Sequence, residues 1–578
     1  MALTRNMPRR RKRHFVNNEF TVSDWENLTP YFTLLQNAAI ETVEDTVAWL
    51  RQMSELEFVL NEDKAWRYIY MTRNTADEVI RKRYQYYVAE ILPHVSVEAN
   101  SLLEKLYGSP GFSQLDPAEY RIVIRSTRNR IELFREENVP LLTEISQESR
   151  KFDEIAAGLH IIEDGEKMTL QKAASLLEGM ERGRREQVWR KVAYARYAHH
   201  DALNELFDRL IGLRHQVAVN ADFSSYADYK FAELGRFDYT REDCYQFHDS
   251  IENVVRPLLE RRSEQRQQNL GVDTLHHWDL TVDEFGQEPL KPFASPEELI
   301  DKTVRIFDRL DPRLGEQMQT MREMGHLDLD SRLHKAPGGY NYPLAESGVP
   351  FIFMNAVGTQ SDLTTMLHEC GHAIHSFATQ HLEISAYKYL PSEIAELASM
   401  SMELITLDFL DEFYDDPEDL RRAKREQIIR PLTLLPWIAA VDRFQFWAYD
   451  HPGHSHEERA ATWKAIYERF HGNHISWEGV EDVFGTYWQK QGHIFDVPFY
   501  YIEYGFAQLG AIAVWRNYRQ NPEKGLNDYL HALSLGYTRP IPEVYEAAGI
   551  RFDFSEDYIR ELMDFTMEEL RKLEAPSA

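Results

Sequence analysis

Residues 364–377, TTMLHECGHAIHSF, constrain this chain more than any other stretch, because three histidines and a glutamate fall within eight positions. In a chain with 22 His and 94 acidic residues among 578, an H-[D/E]-x-x-H match arises by chance roughly 0.15 times. The match therefore has to be judged by its surroundings. On a helix with His368 at 0°, Leu363, Met366, Leu367, Cys370, Ala373, Ile374 and Phe377 fall between about 140° and 260°, while His368, His372 and His375 fall within about 40° of 0°. The histidine side carries Thr364, Thr365, Gly371, Ser376 and Thr379, where a solvated face would carry Lys, Glu and Arg. It is predicted to line a cleft, with Ser361 or Asp362 as the N-cap.

Side chains four residues apart lie about 6 Å from each other on one helix face, so His368 and His372 can share a zinc ion at ~2.1 Å from each nitrogen. Glu369, about 100° away, stands beside the ion, placed to take the proton of its water. His375 lies about 10 Å along the axis from His368, too far for the same ion, and is expected to support the cleft instead. Cys370 falls on the core side. The next helical pattern, PSEIAELASMSMELITLDFL, follows with Ser392 as a cap and offers Glu393, Glu396 and Glu403. Glu396 and Glu403 share a stripe with Met400 and Leu407, and a buried carboxylate requires a partner. Spacing favours Glu396 over Glu393 as third ligand and leaves Glu403 to hydrogen-bond a ligand histidine and set its tautomer. Further on, QGHIFDVPFYYIEYGFAQ gathers His493, Tyr500, Tyr501 and Tyr504. Tyrosines, with pKa near ~10, are neutral donors able to stabilise an oxyanion. An aromatic run packs a core equally well, and spacing leaves both readings open.

The net charge of −29, from 65 basic and 94 acidic residues, argues against nucleic-acid and anionic-membrane partners and mildly favours cationic ligands. The basic N-terminus, RNMPRRRKRHF, is followed by no apolar run of signal-peptide length and reads as a solvated tail. No stretch of eighteen apolar residues suggests a membrane span. With two cysteines, Cys244 and Cys370, neither a disulfide framework nor a thiolate cluster can form within the chain, so a cytoplasmic setting is expected. From about residue 40 to 265 apolar residues recur at helical spacing. Residues 325–358 change to short apolar runs punctuated by Pro and Gly, as a small sheet would be. Helical pattern then returns. The expected division is an N-terminal helical lobe, 1–200, and a catalytic region, 201–578.

Four blocks then resemble a known family in order and spacing: KAPGGYNYP with PFIFMN, HECGHAIH at 368–375, EIAELASMSME at 393–403, and H...PFYY..Y at 493–504. They are similar to the oligoendopeptidase F and thimet oligopeptidase family of zinc metallopeptidases, oligoendopeptidase F above all. The resemblance implies one Zn2+ per chain on His368, His372 and Glu396, with Glu369 as general base and His493 with Tyr504, or else Tyr501, as oxyanion donors. It implies a mainly α, prolate, two-lobed molecule with a deep central channel and a small sheet beside the zinc helix. The expected activity is hydrolysis of internal bonds in short unstructured peptides, a zinc-bound water attacking the scissile carbonyl. The strand from Pro350 to Asn355 is expected to pair with an extended substrate along its edge. Gly338 and Gly339, in a hairpin turn or a loop over the cleft, together with Tyr340, Phe353, Asn355 and Tyr500, complete the expected substrate contacts. Two rivals stand: a metallocarboxypeptidase or dipeptidyl carboxypeptidase on the same scaffold, and a non-enzymatic helical binding protein with a vestigial motif. Short peptides are the expected partners, and monomer and homodimer are both open.

Overall fold

The computed structural model of this chain describes residues 11–336 and 338–575. With 69% helix and 4% strand, it is of the mainly α class that the periodicity predicts. It resolves into two compact units, each built from three separated stretches: 1–132, 291–424 and 510–552 in the first, 133–290, 425–509 and 553–578 in the second. Among the described residues no helix is long and apolar enough to cross a membrane.

In the first unit, the helix Val43–Arg73 opens on a reciprocal cap between Thr42 and Asp45, which satisfies two otherwise orphaned N–H groups. Its first half packs with helices Trp25–Asn37 and Leu92–Tyr107 around Leu28, Phe32, Leu35, Trp49, Leu102 and Leu106. The Trp49 indole donates to the Leu35 carbonyl at 3.0 Å. Its second half, through Ala65 and Ile69, packs on Leu344, Phe351 and Phe353. The solvated tail expected at the N-terminus lies partly outside the described residues, and where it is described it is docked. Arg13 is 6% exposed, is paired with Glu346, and donates to the carbonyls of Asn17 and Phe20 at 2.8 and 2.9 Å.

Three strands form the sheet of this unit: β1 (Leu327–Asp330), β2 (Tyr340–Tyr342) and β3 (Phe351–Ala356). β3 lies in the middle, parallel to β1 and antiparallel to β2. This overturns the expectation that β3 pairs with substrate along its edge, since both of its edges are taken. Its first four residues are all buried, as a strand covered on both faces requires. The two outer strands of the sheet are β1 and β2. The loop joining β1 to β2 is tied down by charge: Asp328 accepts from Arg73 at 2.6 Å, from Arg332 at 2.5 Å and from Lys335 at 2.8 Å. Against burial, which would raise it, Arg332 and Lys335 hold the Asp328 carboxyl far below the usual carboxylate range.

The second unit contains the helices Asn138–Gly158, Arg182–Tyr197, His200–Asn220, Arg256–Leu270 and His456–His471. Phe207, Trp488 and Phe495 form its aromatic centre, with ring separations of 4.9 Å and 5.5 Å along that chain of contacts. The helical pattern predicted across 40–265 misses one feature. His160–Glu163 and Glu166–Thr169 form an antiparallel hairpin, turned by Asp164 at φ 51° and Gly165 at φ 84°. Two consecutive left-handed residues are what a tight hairpin turn demands.

Candidate active site

Helix α1 (Gln360–Ala378) carries the histidine motif and α2 (Ser392–Ile405) the glutamates. Thr359, not Ser361 or Asp362, caps α1: its hydroxyl accepts from the Asp362 N–H, and the Asp362 carboxylate accepts from the N–H groups of Val357, Gly358 and Thr359. At α2 the cap position is Pro391 rather than Ser392. A Cβ on Gly371 would stand 2.6 Å from both the Ala398 carbonyl oxygen and the Ser399 Cα. The two helices therefore touch backbone to backbone at this glycine, and the contact sets Glu396 opposite His368 and His372.

His368 Nε2 lies 3.3 Å and His372 Nε2 3.6 Å from Glu396 Oε2. The histidine rings are 4.9 Å apart and nearly perpendicular, at 86°. Glu403 Oε1 is 2.7 Å from His368 Nδ1, and the His372 ring is hydrogen-bonded to the Ala395 carbonyl. Each of these partners can only accept, so each takes the Nδ1 hydrogen and leaves Nε2 turned towards a carboxylate oxygen, a nitrogen that offers a lone pair when the ring is neutral; against burial, Glu396 and Glu403 push His368 well above its usual value. Three electron-pair donors converging on one place is an arrangement that a cation satisfies. Two imidazoles and one carboxylate, with one position to spare, is the donor set of a catalytic zinc site. The three ligand atoms lie within 4.8 Å of one another, and no other such group is found among the described residues. The residues fit the metal.

Ser399 donates to Glu396 Oε2 at 2.8 Å. Burial alone would raise the Glu396 carboxyl, but His372, His368 and Ser399 hold it down to about 2. Glu369 is 8% exposed, and its Oε2 is buried without a hydrogen-bond partner. Burial pushes this carboxyl up to about 7. His375 does not join the site. It is 2% exposed, and burial pushes it down to about 3 against a contact with the Leu533 backbone. It packs in the core; of the two residues expected to support the site, Glu403 is the one that touches His368.

His493, Tyr500, Tyr501 and Tyr504 are gathered in the second unit. The His493 ring lies 6.0, 5.0 and 6.1 Å from the rings of Tyr500, Tyr501 and Tyr504. Tyr501 and Tyr504 are three residues apart on helix α3 (Tyr501–Gln520) and so project on one side. Burial pushes Tyr501 up to about 12, so it stays a donor at neutral pH. Two buried arginines shape this segment. Arg214 donates to the Phe495 carbonyl and to the Tyr449 hydroxyl at 2.8 Å. Arg236 donates to the Phe499 carbonyl and to Glu503 at 2.7 Å. With Gln445 accepting from its N–H at 2.8 Å, Phe499 is held at φ 66°, a conformation that costs a bulky residue free energy. The sequence carries no signal for Arg214, Arg236 or Gln445, whose spacing matches no pattern of charged or polar residues.

The expected substrate contacts near the sheet need correction. The Phe353 side chain is fully buried, stacked on Tyr340 at 4.7 Å with the Lys335 ammonium 4.4 Å from its ring centre. It is a core residue and cannot touch a peptide. The Asn355 amide donates to the carbonyls of Ala336 and Gly338 at 2.9 and 2.8 Å, so it pins the loop. Gly338 at φ 91° makes that loop a turn into β2. Gly339, whose Cβ would meet the Phe353 carbonyl oxygen at 3.2 Å, needs its small size. The Tyr340 hydroxyl pairs with Thr72 at 2.6 Å, so it is turned to that helix. Asn341 ties β2 to α1 by donating to the Glu369 carbonyl at 3.4 Å.

Comparison with known proteins gives the family. Residues 175–564 match the profile of peptidase family M3, and residues 15–134 match its N-terminal domain. The chain belongs to peptidase family M3. An oligoendopeptidase F homolog of Lactococcus lactis subsp. lactis (strain IL1403) is 22% identical over 69% of this chain and 66% of its own length. The plasmid oligoendopeptidase F of Lactococcus lactis subsp. cremoris is 26% identical over 42% of this chain and 40% of its own. This M3 chain thus aligns with less than two thirds of the length of these curated relatives. Among solved structures, PZ peptidase A with inhibitor 2 superposes with a TM-score of 0.88 at 26% identity, covering 96% of this chain and 99% of the other. Oligoendopeptidase-F from Enterococcus faecium shares the fold at a TM-score of 0.61 and 18% identity, covering 95% and 97%.

Proposed function

We propose that this M3 chain is a zinc-dependent endopeptidase acting on short peptides. The observation that carries the proposal is the convergence of His368 Nε2, His372 Nε2 and a Glu396 oxygen on one place beside the unpartnered carboxylate of Glu369. His368, His372 and Glu396 would hold the ion, with Glu403 and the Ala395 carbonyl orienting the rings. Zinc bound there supplies Lewis acidity towards a carbonyl oxygen and a water. Glu369 accepts a proton from the attacking water at Oε2 and returns it to the leaving amine nitrogen. His493 with Tyr504, then Tyr501, are proposed as donors to the oxyanion, on the family resemblance and on their neutral donor chemistry. The edge of β2 is proposed to pair with the substrate backbone, which selects extended peptides.

The test is elemental analysis joined to a mass-spectrometric digest of a mixed peptide library. One equivalent of zinc and internal cuts support the proposal. Cleavage confined to C-terminal residues would favour the carboxypeptidase, and a chain that binds no zinc and cuts nothing would be a binding protein.

A further inference from the structure

Gln491 stands between two rings of the second unit. The Trp437 indole N–H donates to Gln491 Oε1 at 2.9 Å, and Gln491 Nε2 lies 2.6 Å from His493 Nδ1. An indole nitrogen can only donate, so the end of the amide that faces it must be the oxygen. The amide NH2 is then turned to His493. It too can only donate, so Nδ1 must accept. A neutral imidazole has one donor nitrogen and one acceptor, and with Nδ1 accepting the hydrogen is on Nε2. A second proton on Nδ1 would set donor against donor. Trp437 is itself fixed, its ring lying under the Lys490 ammonium, 4.2 Å from its centre.

We infer that Gln491, oriented by Trp437, is a positioning residue that holds His493 in the Nε2–H tautomer. The consequence for turnover rests on the oxyanion-donor role proposed above for His493; the tautomer itself does not. An oxyanion donor has to present a hydrogen at the nitrogen facing the substrate in every turnover. The opposite tautomer would present a lone pair to a developing negative charge. Gln491 removes that alternative without using a charged partner.

The test is 15N spectroscopy of the full-length, zinc-loaded chain labelled at histidine, with the His493 signals identified by their loss in His493→Gln. The wild type is expected to show an unprotonated Nδ1 and a protonated Nε2. In Gln491→Glu one carboxylate oxygen still accepts from Trp437, while the other accepts where the amide donated, so the hydrogen moves to Nδ1. The kcat/KM of that variant should fall by about 10²- to 10³-fold, the usual loss when one oxyanion donor is removed. Trp437→Phe frees the amide to turn round and should give both tautomers. A wild-type spectrum with the hydrogen on Nδ1 overturns the inference, as does a Gln491→Glu spectrum unchanged from wild type. Because the wild-type spectrum decides the tautomer, misfolding of a variant does not blur the result. A wild-type rate in His493→Gln would remove the oxyanion role and with it the effect on turnover, while the tautomer assignment would stand.

Discussion

At the scale of single residues, Glu369 and Gln differ by one proton-accepting oxygen. Glu369→Gln should keep its zinc and lose most of kcat, whereas Glu396→Ala should lose zinc and activity together; metal content and kcat on one peptide check both. Zinc retained at one equivalent in Glu396→Ala would reassign the third ligand. Gly371 makes a different point. Gly→Ala inside a helix gains about 1 kcal/mol of intrinsic helix preference, but here the added Cβ would lie 2.6 Å from backbone atoms of α2. Backbone cannot rotate away as a side chain can, and overpacking costs about 1–3 kcal/mol. Gly371→Ala should therefore be destabilised by up to about 2 kcal/mol in urea titration and bind zinc more weakly; a stabilised variant would show that the helices can part. Much of this is legible in the HECGH and EIAELASMSME stretches, because helical spacing puts His368, His372, Glu396 and Glu403 on definite faces. Gln491, Arg214 and Arg236 are invisible there, since what they do depends on which distant carbonyl or ring the fold brings to them.

At the scale of elements, the segment from His493 into α3 depends on Arg236, which bridges the Phe499 carbonyl and Glu503 from a site 8% exposed. Removing one partner from a buried ion pair strands the other charge and costs about 3–5 kcal/mol. Arg236→Met should lower the midpoint of thermal unfolding and reduce kcat more than zinc content, because the ligands are on other helices. Equal loss of zinc and kcat would show that the damage is global. Sequence legibility at this scale follows the local signals. Asp164-Gly165 between apolar runs is a hairpin signal, masked by the strongly helical periodicity on either side. PFIFM, apolar throughout, carries the mark of a central strand, a mark that the expectation of edge pairing passed over. Strand order as a whole is not, because β1 and β3 are joined only through pairing between residues more than twenty positions apart.

At the scale of the whole molecule, two properties have measurable effects. His471 is stacked on Tyr467 at 4.0 Å, and burial pushes it down to about 3; burial also pushes His277 well below its usual value. An unfolded chain protonates such a histidine at about 6.5. The folded-state pKa is depressed, so the unfolded state binds the extra proton between about 6.5 and 3 and stability falls with pH through that window, at about 1.4 kcal/mol per unit per group. Above that window the contribution is complete. His471→Gln should shrink the loss of unfolding free energy between pH 7 and pH 5 by about 2 kcal/mol, measured by urea titration. The second property is the net charge of −29. Its field should speed capture of Lys- and Arg-rich peptides and slow acidic ones, and salt screens such fields within about 10 Å at 0.1 M. kcat/KM for a cationic peptide should fall as salt rises and that for its acidic counterpart should rise. Parallel responses would mean that the charge lies away from the site.

The interleaving of the two units has a consequence for synthesis. The first unit takes its third stretch from residues 510–552, so Arg121 and Arg125 on its N-terminal helices are made long before their partners Glu543 and Tyr537. At about 5–20 residues per second, the ribosome needs roughly 20–80 s to go from residue 132 to residue 552. For that time the N-terminal helices exist without the stretch that completes their unit, and incompletely folded chains are what holding chaperones bind. Ribosome-bound chains stopped just short of residue 510 should accordingly remain protease-sensitive in their N-terminal helices, and chains long enough to expose residue 552 outside the exit tunnel should become resistant.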